Sequence, residues 1–293
     1  MNVARAPGEL EPLPRAVAVG TFDGVHLGHR RVLEQTVEAG DRPTVVTFDP
    51  HPREALGNRV ELLSTLERRL ELLAEAGVEE TLVIRFDLDF ARLTPEEFAH
   101  RILRPIGART VVAGSAFRFG HRRAGDLALL ERLSFRTLAV PELSGASSTR
   151  VRELVRAGEV GAAAELLGRP VEVEGTVVAG DARGGTLGYP TANLAIQPGL
   201  IVPAYGIYAG SARLEDGEIR RAAISIGTNP HYGGEERRIE PYLLDFDGDL
   251  YGRRLVVELW ERLRDEQVFE SEQELIDQIA RDVEATRQAV RPG

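Results

Sequence analysis

Between residues 16 and 140 of this chain, mostly continuous apolar runs alternate with segments whose apolar residues recur at three- and four-residue spacing. That alternation leaves few folds open. The runs are Ala16–Gly20, Pro43–Phe48, Thr81–Phe86, Thr110–Gly114 and Phe135–Val140. A strand that is apolar on both faces must be covered on both, which is the condition inside a parallel sheet. The helical spacing falls in Arg30–Ala39, Thr65–Ala76, Pro95–Leu103 and Asp126–Leu133, so a segment able to cross back over the sheet stands between each two consecutive runs. The pattern predicts a doubly wound α/β domain, closed by two short helices, Ser147–Gly158 and Val160–Leu167.

After Gly168-Arg169-Pro170 the pattern changes. Val171–Val178, Gly206–Arg213, Ala222–Ile226, Glu240–Phe246 and Leu255–Leu263 are short β-like segments separated by Gly, Pro, Asn and Asp. Closely spaced strands of this kind predict an antiparallel barrel or sandwich. The last segment, Ser271–Val290, returns to helical spacing behind a Ser-x-x-Glu start. The chain therefore divides by pattern into residues 1–168 and 169–293.

Composition removes several chemistries. There is no cysteine and no lysine, so all 36 basic residues are arginine. Disulfides, thiolate metal sites, the lysine-bearing phosphate loop and Schiff-base chemistry are all excluded. Residues 1–168 hold 22 Arg against 24 Asp and Glu, a net of −2; the remainder holds 14 against 22, a net of −8. A second half that acidic repels nucleic acid and anionic membrane, and suits a small phosphate-bearing substrate handled with Mg²⁺. No apolar run is long enough for a membrane span, and the first twenty residues carry no secretion signal. The expected location is the cytoplasm.

The first run leads into Thr21-Phe22-Asp23-Gly24-Val25-His26-Leu27-Gly28-His29. Ligands of doubly wound sheets sit beyond the carboxyl ends of the strands, and a helix start offers unpaired N–H groups and partial positive charge to a phosphate. His26 and His29 can donate hydrogen bonds to phosphate oxygens as charge builds in an in-line displacement. Gly28 lets the backbone approach, and Gly20, Phe22 and Gly24 belong to the same candidate phosphate turn. A lone histidine there would more often cap or pack; two bracketing a glycine reverse that balance. Ser147-Ser148-Thr149-Arg150-Val151-Arg152 offers hydroxyls and the Arg152 guanidinium at another helix start, or else an ordinary cap with a surface arginine. Phe117-Arg118-Phe119 could hold a flat ring and a phosphate, or form a solvated basic loop.

In the second half, a glycine-rich stretch from Gly180 to Gly188 can close over a phosphate with backbone N–H groups. Tyr189-Pro190-Thr191-Ala192-Asn193 follows, and in an extended segment Thr191 and Asn193 share one face. Their hydroxyl and amide oxygens are hard ligands suited to Mg²⁺, with ATP oxygens completing the shell; turn chemistry is the alternative. Asn229 and Glu240 lie near β-like segments, and Glu240 could serve as general base toward a γ-phosphate or stand as an exposed strand carboxylate.

Taken in order, GTFDGVHLGH, VVTFDPHP, FRFG, SSTRVR, LGYPTANL, IGTNP, LLDFDGDLYG and the LRDEQVF segment make the chain resemble the bifunctional riboflavin kinase/FAD synthetase family over residues 15–290. The resemblance implies a Rossmann-like nucleotidylyltransferase domain followed by an antiparallel β-barrel with a terminal helix. It implies that the first half adenylylates FMN and the second phosphorylates riboflavin, each with ATP and Mg²⁺. Carried over by position, His26, His29, Ser147, Ser148, Thr149 and Arg152 contact ATP phosphates, Thr191 and Asn193 hold Mg²⁺, and Glu240 takes the proton of the ribityl 5′-hydroxyl. The sequence departs from the family pattern at Ala116, Gly185 and His231. Ala116 removes a polar side chain from the first site, which leaves a second reading: a riboflavin kinase whose adenylyltransferase half is weakened or inactive.

Overall fold

The computed structural model describes residues 1–180, 187–228 and 237–293. These form two compact units, Met1–Ser148 and Thr149–Gly293.

The first unit contains β1 (Asn2–Ala4), β2 (Arg15–Val19), α1 (Leu27–Glu38), β3 (Arg42–Asp49), α2 (Pro52–Ala55), α3 (Leu66–Glu75), β4 (Glu80–Arg85), α4 (Pro95–Phe98), β5 (Ala108–Gly114), α5 (Leu127–Arg132) and β6 (Arg136–Val140). The six strands are parallel, in the order β1-β4-β3-β2-β5-β6. Strand residues alternate between two cores. Val17, Val19, Val46, Phe48, Leu82 and Ile84 meet Phe98, Ile102, Leu103 and Leu130 on one face. Ala18, Val45 and Val112 meet Val32, Leu33, Leu72 and Leu73 on the other. Burial on both faces is why the inner strands read as mostly continuous apolar runs, each fully buried apolar side chain contributing ~1.5–3 kcal/mol. Helix starts follow local chemistry: Thr65 accepts from Arg68 N, Thr94 and Glu97 form a capping box, and Asp126 accepts from Leu129 N. Beyond α4 the helix widens into a π turn, Ala99–Leu103, so the expected single helix there has two geometries.

At the amino end of this sheet Arg15 is fully buried. Its Nε lies 2.6 Å from Glu80 Oε2, and its Nη1 donates to the Glu11, Leu13 and Ile106 carbonyls. Burial pushes the Glu80 carboxyl up, but the Arg15 hydrogen bond and charge, joined by Arg42, outweigh it and hold it below the usual range.

α6 (Ser148–Ala157) crosses the boundary between units and α7 (Val160–Leu167) follows. The second unit adds β7 (Val171–Val178), β8 (Asn193–Ile196), β9 (Gly206–Arg213), β10 (Ile219–Thr228), β11 (Arg237–Leu243), β12 (Arg254–Arg264) and α8 (Glu272–Gln288). The strands pair antiparallel in the order β11-β10-β9-β12-β7-β8. Ala192 N donates to Pro241 O at 3.0 Å, joining the segment that enters β8 to β11 and nearly closing the barrel. α7 packs on β7 and β12, so compactness places it with the barrel, although the sequence pattern changes only at Gly168. Gly168 does end α7, in the left-handed conformation that glycine adopts without strain. α8 starts at Ser271, whose side chain accepts from Glu274 N, and ends where Arg221 donates to the Thr286 and Ala289 carbonyls.

Candidate active sites

In the first unit, the order of strands reverses between β2 and β5, and the turn leaving β2 stands at that point. Phe22, Gly24 and Val25 all have positive φ, at 50°, 76° and 38°. Two non-glycine residues in that region strain the backbone by ~1–3 kcal/mol each, so something must hold the turn. Phe22 and Val25 are buried at 2% and 1% exposure, and Asp23 is fully buried. The Asp23 carboxylate accepts from Leu63 N at 3.0 and 3.1 Å, Ser64 N at 3.2 Å and Ser64 Oγ at 3.4 Å. Gly24 N donates back to Ser64 Oγ at 3.3 Å. A Cβ on Gly24 would fall 2.7 Å from Leu63 Cδ1, so this position needs glycine on both counts.

The turn delivers His26 to the cap position of α1, where its Nδ1 accepts from His29 N at 3.3 Å. A neutral His26 accepting at Nδ1 carries its proton on Nε2 and donates there. The His26 and His29 rings stack at 3.7 Å with 19° between planes, and Phe22 lies 5.1 Å from His29. Gly28 leaves the space beside them, since a Cβ would stand 3.1 Å from the His26 ring. Burial first, then His26 and Arg69, push His29 well below the ordinary histidine value, so it is neutral near pH 7. Gly20 N donates to Val46 O, fixing the exit of β2.

From the second motif, Ser148 reaches the same turn. Ser148 Oγ donates to the main-chain carbonyl of Asp23 at 3.1 Å, and Ser147 immediately precedes it. Thr149 and Arg152 follow on α6 in the other compact unit, with Arg152 buried. After β5, Phe119 is buried in the core against Phe98 and stacks on Phe117 at 5.5 Å; Arg118 is exposed and donates to Phe117 O. Phe119 is thus an anchor for its loop, leaving Phe117 the half-exposed ring. Ala116 is exposed.

In the second unit, the bond from Ala192 N to Pro241 O sets Thr191-Ala192-Asn193 beside Glu240-Pro241 across the barrel seam. The ring of Tyr189 meets that of Tyr242 edge-on at 5.3 Å, continuing the same junction. The Asn193 amide fills the space a side chain on Gly180 would need, a Cβ there falling 2.0 Å from Nδ2. Glu240 is half-exposed, 3.8 Å from Arg238 Nη1 and paired with Ser225 on β10. A cavity of about 450 Å³ opens beside Thr191, bounded also by Phe246, Asp247, Asp249 and Tyr251. Gly188 takes a positive φ of 84° at the end of its loop. Asn229, Gly185 and His231 lie outside the described residues.

The FAD synthetase family model matches residues 10–151, and the riboflavin kinase family model matches residues 167–290. A Listeria monocytogenes protein named bifunctional riboflavin kinase/FMN adenylyltransferase is 35% identical over 95% of this chain and 93% of its own. An Escherichia coli K12 protein of the same name is 36% identical over 96% and 93%. The chain belongs to the bifunctional riboflavin kinase/FMN adenylyltransferase family. It carries a half of each kind. A solved Streptococcus pneumoniae chain, named a macrolide-efflux protein, superposes with a TM-score of 0.89 at 32% identity, covering 98% of this chain and 99% of that one. Among the described residues here, no helix is long and apolar enough to cross a membrane.

Sequence reasoning gave no role to two residues of the adenylyltransferase half. Asp23 stood inside the quoted motif, but its partners Leu63 and Ser64 are forty residues away in sequence. Arg69 is 1% exposed; its Nη1 donates to Phe48 O at 3.1 Å, and among the described residues its Nε has no hydrogen-bond partner. Burial pulls its guanidinium below the usual value while Asp23 and Asp49 oppose that pull. In sequence it was one of several arginines on an amphipathic helix, without a signal of its own.

Proposed function

We propose that residues 169–293 phosphorylate riboflavin to FMN and that residues 1–168 join FMN to ATP, releasing pyrophosphate and FAD. In the kinase step Glu240 takes the proton from the ribityl 5′-hydroxyl as that oxygen attacks the γ-phosphorus, and ADP leaves. Thr191 and Asn193 would hold Mg²⁺ through one hydroxyl and one amide oxygen. Among the described residues no cluster of three His, Cys, Asp or Glu side chains could hold a metal by itself. A hydroxyl–amide pair fits Mg²⁺, which keeps much of its shell for water and nucleotide oxygens. The metal supplies charge neutralisation on the phosphates. Gly180 and Gly188 frame the loop that would cover those phosphates, and Asn229 would contact the substrate.

In the adenylyl step an FMN phosphate oxygen attacks the α-phosphorus of ATP, and the bond to the departing pyrophosphate breaks. His26 and neutral His29 would donate to the phosphate oxygens, with Gly20, Phe22, Gly24 and Gly28 shaping the turn that receives them. Ser147, Ser148, Thr149 and Arg152 would complete that site; Phe117 and Arg118, on the loop anchored by Phe119, would meet the flavin. The observation that carries the reading is the hydrogen bond from Ala192 to Pro241, which brings the three assigned kinase residues to one seam. We also infer that ATP, riboflavin and FMN are the only partners required, without nucleic acid or membrane, in the cytoplasm where ATP is made available. Incubation of the chain with riboflavin, ATP and Mg²⁺, followed by separation of the flavins, tests this. FMN and then FAD are expected; FMN alone would establish the kinase-only reading, and neither product would overturn both.

A further inference from the structure

β10 presents Ser225 and Gly227 on one face, and its register pairs Ser225 with Glu240 and Gly227 with Arg238. Paired residues of an antiparallel ladder share a face, and residues two apart on a strand lie ~7 Å apart. Gly227 is therefore one strand repeat from the position of Glu240 and on the same side. That space is occupied. A Cβ on Gly227 would fall 2.0 Å from Glu266 Oε1 and 3.0 Å from its Cδ. The arrangement repeats what Gly180 does for Asn193: a glycine leaves room for a polar side chain close to its backbone.

The chain on either side of Glu266 is anchored. Glu266 follows β12, and Arg264, two residues earlier, forks onto the Asp282 carboxylate of α8 at 2.7, 3.0 and 3.1 Å. The same guanidinium stands 5.8 Å over the Phe269 ring, so the residues on both sides of Glu266 are tied to the terminal helix or to that contact. No hydrogen-bond donor among the described residues reaches the Glu266 carboxylate, and burial pushes its carboxyl up against the opposing Arg264 charge. Glu266 is exposed. An exposed carboxylate with no donor among the described residues is an acceptor for a donor-bearing ligand, and its charge disfavours a phosphate at the same place.

We propose that Glu266 is a substrate-binding residue of the kinase half, accepting a hydrogen bond from a hydroxyl of the uncharged polyol chain of riboflavin. This rests on the assignment of Glu240 as base, which sets the reacting end of the polyol one repeat along β10. It assigns the negative charge of Glu266 to recognition of the unreacted hydroxyls and leaves the phosphates to the Thr191–Asn193 side.

Steady-state riboflavin phosphorylation by the full chain tests it, with Glu266→Gln, Gly227→Ala and Glu240→Gln compared at varied riboflavin and varied ATP. Glu266→Gln keeps an acceptor oxygen but removes the charge, and a charge-assisted hydrogen bond outweighs a neutral one by about a tenfold change in binding. Glu266→Gln should raise KM for riboflavin by about that factor, with KM for ATP and conversion of supplied FMN to FAD unchanged. Gly227→Ala, which displaces the carboxylate without removing it, should raise the same KM. An unchanged riboflavin KM in both variants, or a rise confined to ATP, overturns the inference. Glu240→Gln separates this from failure of the site itself. If it stops turnover while Glu266→Gln leaves KM unchanged, only the role of Glu266 falls. If Glu240→Gln turns over normally, the placement of the reacting end falls with it.

Discussion

At the scale of single residues, the adenylyltransferase turn is governed by a group whose work is invisible along the chain. Asp23 has no exposure and gathers four contacts to Leu63 and Ser64, while its carbonyl receives Ser148. Asp23→Asn removes the charge that those donors face, and charge-assisted hydrogen bonds contribute ~1.5–3 kcal/mol each. We expect that variant to lose about 2–3 kcal/mol in chemical denaturation of the first unit and at least about tenfold in FAD formation from FMN, with riboflavin phosphorylation unchanged. A variant as stable and active as the parent would remove Asp23 from the account. His29 gives a second test through pH. Its folded value lies below the unfolded value of about 6.5, so the unfolded chain takes up the proton first. The stability this group permits is complete above that value and is lost as pH falls toward the folded value. His29→Asn should flatten that part of the stability profile, measured by urea titration from neutral to acidic pH; an unchanged slope would contradict the assignment. The histidines themselves were legible because two of them bracket a glycine after a strand. Asp23 and Arg69 were not, because a buried ionic role is defined by partners that only the fold brings near.

At the scale of elements, legibility followed burial. β2, β3, β4 and β5 declare themselves as largely apolar runs because both faces of each are covered, whereas the edge strand β6 buries only Val140 within Arg136–Val140. β1 spans only Asn2–Ala4 at the edge of the sheet, paired with β4 alone, and so short a segment carries no periodicity to read. The barrel was left open against a sandwich for a different reason. Whether a six-stranded antiparallel sheet closes is decided where its two edges meet, and here a main-chain bond joins Ala192 to Pro241. β8 was hidden for the same reason, since its four residues follow turn-forming Tyr189-Pro190 and read equally well as a loop. The seam makes a prediction of its own. Gly180→Ala puts a methyl group where the Asn193 amide lies, 2.0 Å from Nδ2. Either Asn193 or the strand end must move, so riboflavin phosphorylation should fall at least about tenfold, with FAD formation from supplied FMN retained. Wild-type phosphorylation by that variant would show that Asn193 is not required where it stands.

At the scale of the whole chain, absence was as informative as pattern. With no lysine and no cysteine, phosphate handling had to be assigned to histidine, arginine, backbone amides and a metal held by neutral oxygens. The order of motifs then pointed to one family across nearly all the residues, which the matches over 10–151 and 167–290 bear out. The sequence did not reveal that α7 packs with the barrel, because helices adjacent to a change of pattern carry no mark of which core they join. The central claim is that two separate centres, one in each half, perform the two transfers. The direct measurement is a crossed product assay on the full chain, in which His29→Ala and Glu240→Gln are each given riboflavin or FMN with ATP and Mg²⁺. His29→Ala should make FMN from riboflavin and no FAD from FMN; Glu240→Gln should make FAD from FMN and no FMN from riboflavin. Loss of both products in either variant, or of neither in both, would contradict two independent centres.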